Sequence, residues 1–159
     1  MKTQTISTAV NEQIFLKRNS LLGVFAGLMF ISSPIYKLLE PIITEHDWLN
    51  LVLALLSLIL GMLIFFTFFS TIKSMENVGR YTIWTGNFND EYFNHINNKG
   101  YKYSFVTSCI LLLDFSVFGR HLQNFLGGLF LSEFSDFMLG VIFLSYSLPI
   151  LFLLRGEDE

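Results

Sequence analysis

Four apolar runs, residues 21–39, 48–72, 103–119 and 136–154, occupy most of this 159-residue chain. A helix needs about 17 to 25 mostly apolar residues to cross a hydrocarbon core roughly 30 Å thick, and each run meets that length. An acidic residue near the middle of a run occurs once, at Asp114. The pattern predicts an all-α integral membrane protein, a four-helix bundle in one domain spanning residues 1–159. Charged residues make up 14% of the chain, against about 25% in soluble domains, so a soluble core does not account for the composition.

Basic residues set the orientation. Lys2, Lys17 and Arg18 precede the first run, Lys73, Arg80, Lys99 and Lys102 lie between the second and third, and Arg155 follows the fourth. Lys37 and Arg120 alone fall on the other side. The positive-inside rule therefore places both termini and the central connection in the cytoplasm. No basic stripe suited to phosphates is present, so no nucleic-acid partner is expected. The first run ends in Lys37-Leu38-Leu39 without a small-residue cleavage site and reads as an uncleaved span.

Features within the spans distinguish them. Gly23 and Gly27 share a helix face at GxxxG spacing and permit close packing of another helix, from this chain or from a second copy. Pro34 and Pro149 should bend the first and fourth spans, and Glu40-Pro41 should end the first. Cys109, the sole cysteine, excludes an intramolecular disulfide and reads as a small buried hydrophobe. With Leu111 as the midpoint of the third span, Asp114 lies about 4.5 Å outward of centre. Ser33 and Ser57 fall at a similar height, Ser32 deeper, and Lys37 close enough to reach down. An aspartate at that depth costs roughly 2.5 to 3.5 kcal/mol, so Asp114, Ser33, Ser57, Ser32 and Lys37 are the expected polar layer.

Outside the spans, Asn89 reads as an N-cap, Asp90 and Glu91 as a first turn, and Lys99-Gly100 as a helix end, predicting a short amphipathic cytoplasmic helix over 90–99. Phe88 and Phe93 form a hydrophobic staple, and Phe88, Tyr92, Phe93 and Ile96 make a stripe able to dock. Ahead of the first span, Ile6, Ala9, Val10, Gln13, Ile14 and Lys17 recur at helical spacing, as in an interfacial helix. The segment 120–135 is too apolar for a free loop and should lie in the outer interface or fold back on the protein.

Phe88, Glu91, Ile96, Gly100 and Tyr101, placed between a second and a third span, resemble the linker of a family of small bacterial membrane proteins with four helices and a domain of unknown function. The resemblance implies a bacterial inner membrane and a four-span layout, and no activity.

His46, His95 and His121 are scattered, Glu91 and His95 have i,i+4 spacing without further ligands, and no nucleophile has a base within reach. No metal, cofactor or catalytic role is expected. The reading is an accessory or regulatory subunit that packs against other membrane subunits or copies of itself in the bilayer. The alternative is a small oligomeric channel or membrane-permeabilising protein organised around Asp114.

Overall fold

The computed structural model describes the backbone of residues 2–45, 47–125 and 131–155, and the side chains of residues 8–45, 47–119 and 132–155. It is all-helical among the described residues: α1 (Lys2–Ile43), α2 (Asp47–Met75), α3 (Arg80–Thr85), α4 (Glu91–Phe125) and α5 (Leu131–Arg155). Four helices are long and apolar enough to cross a membrane, at Thr8–Ile43, Asp47–Met75, Glu91–Gly119 and Ser132–Arg155, the layout of a multi-pass membrane protein.

Three boundaries differ from those expected. The helix predicted over 90–99 does not stop at Lys99-Gly100, because α4 runs unbroken from Glu91 to Phe125, about 52 Å. Gly100 is needed for approach and not for a cap: a Cβ there would meet Tyr146 O at 2.9 Å and Ile150 Cδ1 at 2.6 Å on α5. The N-terminal helix likewise continues into the first span and is no separate interfacial element. Its stripe is also different. Glu12, Phe15, Leu16, Ser20, Gly23 and Gly27 are buried, whereas Val10 and Ile14 are exposed. Glu40-Pro41 does not end α1, which passes through Pro34 and Pro41 to Ile43. A proline removes one ladder hydrogen bond, and the turn after Pro41 is closed by Thr44 N–H donating to Glu40 O at 3.0 Å.

Neighbouring spans are antiparallel. Along α1 and α5, Gly23 faces Ser147, Gly27 faces Gly140 and Leu144, and Phe30 stacks on Phe143 at 5.9 Å. Small residues let the two backbones come together: a Cβ on Gly27 would lie 2.9 Å from Gly140 O, and one on Gly140 2.7 Å from Gly27 O. Between α1 and α2, Arg18 Nη1 donates to Ser70 O at 2.9 Å, and the Tyr36 hydroxyl reaches Asn50 Oδ1 at 3.5 Å. Between α4 and α5, Tyr101 packs on Tyr146 at 5.2 Å and Phe115 on Phe134 at 4.6 Å.

These pairings order the spans α2, α1, α5, α4. Extensive packing joins each to the next, while α1 touches α4 lightly and α2 makes no comparable contact with α4. The expected bundle is therefore an open row among the described residues. Its central seam carries the glycines; Gly61 of α2, by contrast, has nothing within 4 Å of its Cβ position.

Candidate functional site

Among the described residues the consolidated core lies at the end of the molecule to which both the N-terminal part of α1 and the C-terminal part of α5 belong, here the termini end. Phe15 and Leu16 of α1, Val78 and Phe88 of the α2–α4 connection, Phe93 and Ile96 of α4, and Ile150 and Leu154 of α5 form one buried cluster. Phe88 packs on Phe15 at 6.3 Å between ring centres. Of the expected docking stripe, Phe88, Phe93 and Ile96 are thus covered by this chain's own α1 and α5, while Tyr92 stays exposed.

Glu12 organises the polar side of this cluster. At 1% exposure its carboxylate accepts from Asn89 N–H at 3.0 Å, Asn89 Nδ2 at 2.7 Å and Asp90 N–H at 3.1 Å. Asn89 is therefore not the α4 cap. That role falls one residue later, to Asp90, whose Oδ1 accepts from Tyr92 N–H at 2.9 Å and Phe93 N–H at 3.4 Å. A carboxylate serving three donors 77 or more positions away ties the start of α1 to the start of α4.

A second tie surrounds Asn97, itself 1% exposed. Its Nδ2 donates to Gly86 O at 2.8 Å, and its Oδ1 accepts from the Tyr146 hydroxyl at 2.6 Å. Gly86 ends α3 at φ 68°, a left-handed conformation that a side chain disfavours. α3, α4 and α5 are so pinned at one point. Sequence reasoning passed over Glu12 and Asn97. The available signal for Glu12 was its spacing, three and four residues before Phe15 and Leu16, which puts it on their face of the helix.

The expected polar layer is not assembled. Ser57 Oγ donates to Leu53 O at 2.9 Å and Ser32 Oγ to Met29 O at 2.6 Å, each within its own helix. Ser33 is exposed, and Lys37 pairs with Glu40 at 2.5 Å. Asp114 is exposed on α4, one residue before Phe115, which stacks on Phe134 in the first turn of α5. Asp114 thus lies level with Glu133, Ser135 and Asp136, at the end of the apolar run 136–154 and not near its middle. The start of α4 runs beside the second half of α5, so the apolar stretches of the two helices are offset along their length. Within segment 120–135, α4 extends to Phe125, and residues 126–130 lie outside the described residues, as does His46.

Openings lined by described residues flank the termini end. A cavity of about 220 Å³ between α1 and α2 is lined by Asn11, Ile14, Arg18, Lys73, Ser74 and Asn77. A groove of about 570 Å³ between α4 and α5 is lined by Lys99 and Arg155 together with Tyr103, Leu148, Pro149 and Phe152, among others. No group of three or more His, Cys, Asp or Glu residues suited to a metal occurs among the described residues. Against family models, curated proteins and solved structures, the chain gives no match.

Proposed function

We propose that this chain is a non-enzymatic accessory or regulatory subunit, lodged in a cell membrane with both termini cytoplasmic, that assembles with other membrane helices or with copies of itself. One observation carries the reading: α2 and α4 flank an open row and are left uncovered along their apolar length. Leu51, Phe65 and Phe66 of α2 are 65%, 59% and 68% exposed, and Phe105, Leu113 and Val117 of α4 are 69%, 65% and 66% exposed. Association within a bilayer draws on van der Waals packing between helix faces, and a row open at both flanks offers such faces without first breaking a closed bundle. The eight basic residues outside the outer loops support the orientation, and the bacterial four-helix family that the linker resembles supports an inner membrane.

The test is crosslinking in native membranes. Single cysteines replace Leu51 or Phe66 on α2, and Leu113 or Val117 on α4, in a Cys109→Ala background. A helix-length bifunctional maleimide should yield one discrete adduct from at least one flank, whose mass identifies a second copy or a different membrane protein. Absence of any adduct from all four positions, in protein that reacts fully with a monofunctional maleimide, overturns the proposal. Ion flux through vesicles holding the purified chain, abolished by Asp114→Asn, would instead establish the channel. Orientation is checked with single cysteines at Glu45 and Asn98, both exposed: an impermeant reagent outside intact cells should label the first and not the second.

A further inference from the structure

We infer that the groove between α4 and α5 at the termini end is a binding site for an anionic phospholipid, an inference that rests on the membrane reading above. The groove has two unlike parts. Tyr103, Leu148 and Phe152 supply an apolar wall, 53%, 51% and 80% exposed, while Lys99 and Arg155 supply two cations at one end. The close approach of α4 and α5 at Gly100, beneath Tyr146 and Ile150, holds the floor of the groove shut.

Level and direction fit the same ligand. Arg155 is the last residue of α5, immediately after the apolar run, and so falls at the boundary between hydrocarbon and headgroups. Lys99 is about one turn deeper by register, since its neighbour Gly100 meets Ile150, and a lysine stem covers apolar surface while carrying its ammonium toward that boundary. Both cations thus converge on one headgroup plane. Tyr103 and Leu148, deeper by register than either cation, carry the wall toward the middle of the span, the direction taken by acyl chains. A volume of about 570 Å³ lies within the usual range for small-ligand sites. Free phosphate would satisfy the cations and leave the wall empty, whereas a neutral lipid would cover the wall and leave two cations facing one another. A phosphodiester headgroup with attached chains satisfies both parts, as basic pockets between transmembrane helices do elsewhere. The cavity at Arg18 and Lys73 lacks such a wall.

Native mass spectrometry of the full chain released from detergent tests this, with phosphatidylglycerol and phosphatidylcholine of identical chains as probes. The wild type should bind one phosphatidylglycerol at about thirtyfold lower lipid concentration than phosphatidylcholine, the magnitude expected from two lysine or arginine charges at a membrane surface. Lys99→Gln with Arg155→Gln should bring the two lipids to parity, while Lys73→Gln should leave the preference intact. A molar excess of inorganic phosphate should not displace the bound lipid. Equal binding of both lipids by the wild type, an unchanged preference in the double variant, or displacement by phosphate would each overturn the site. So would a preference that emerges only when Glu157, Asp158 and Glu159, which follow Arg155, are changed to Gln, since the chain's own carboxylates would then hold the cations. Resistance of the protein to extraction from membranes by alkaline carbonate separates failure of the site from failure of the membrane reading.

Discussion

At the termini end Leu16, Ile96, Ile150 and Leu154 are 2% exposed or less, whereas along α2 from Asp47 to Ser70 no residue is buried at all. Both regions are helical and apolar; what differs is the solvent each is built for. The termini end combines packed apolar side chains with buried polar groups, Glu12 and Asn97, whose partners come from distant segments. That is how a fold excludes water. Along α2 the side-chain hydroxyls of Ser57 and Thr67 return to carbonyls of their own helix. That is how a helix satisfies itself in lipid, where apolar surface carries no penalty and close contact must come from small residues instead. The α1–α5 seam has those residues, and Gly61 of α2 is not used in that way.

The largest effect should come from filling the seam. In Gly140→Leu the first added carbon falls 2.7 Å from Gly27 O and 3.0 Å from Ile31 N, backbone atoms that can yield only if the helices separate. The expected cost exceeds about 4 kcal/mol, seen as loss of the monodisperse peak in detergent size exclusion. Gly61→Ala on the uncovered flank is the control. It should be neutral or stabilising by up to about 1 kcal/mol, and an equal loss in both would erase the distinction between seam and flank.

Glu12 comes next. Glu12→Ala leaves the Asn89 and Asp90 amides without their acceptor and should lower thermal stability by about 2 kcal/mol, with amide exchange rising at the start of α4 and not in α2. Glu12→Gln keeps one acceptor oxygen of the two and should lose about half as much. A uniform rise in exchange along the whole chain would mean that the termini end and the limbs unfold as one unit.

A smaller loss is expected at Gly86. Its φ of 68° and the nearness of Tyr101 Oη and Asn97 Nδ2, 2.8 and 2.9 Å from a built Cβ, make Gly86→Ala costly by about 1–2 kcal/mol. Asn97→Ala should cost a similar amount, and the double variant less than the sum, because both act on one hydrogen bond from Asn97 to Gly86 O. Strict additivity in the thermal midpoints would show that the bond does not hold α3 to α4.

The spans were legible in the sequence and the core at the termini end was not, for a physical reason. A span announces itself through twenty consecutive apolar residues, a local property that survives any packing arrangement. The role of Gly100 is not local, since a glycine after a lysine marks a helix end and a helix crossing equally well, and only Tyr146 and Ile150 decide between them. Asn89 read as the cap and Asp90 as the first turn, and the cap falls to Asp90 because Glu12, 77 positions away, takes the Asn89 side chain. Gly23 and Gly27 could be read as a packing face, but α5 as the helix they receive could not. Hydropathy centred the third span on Leu111; the stacking of Phe115 on Phe134 sets Asp114 beside the first turn of α5, information that belongs to a pair of helices and to neither alone.

That displacement sets the smallest effect, at Asp114. A carboxylate near the middle of the bilayer would cost roughly 2.5 to 3.5 kcal/mol and demand bonded neighbours, so Asp114→Leu would either relieve that cost or strand the groups around it. Exposed beside the first turn of α5, with Ser57 and Lys37 engaged elsewhere, the side chain holds none of the expected layer. Both Asp114→Asn and Asp114→Leu should then change thermal stability in detergent by under about 0.5 kcal/mol, the range of ordinary surface substitutions. Adduct formation from Leu113 or Val117 sharpens the comparison. If the purified chain is indifferent to Asp114→Leu while crosslinking from α4 in membranes falls severalfold, the carboxylate is a contact of the flank and not of the fold. A stability loss above about 2 kcal/mol in the isolated chain would place Asp114 among the bonded groups of the interior and return the centre of the third span to Leu111.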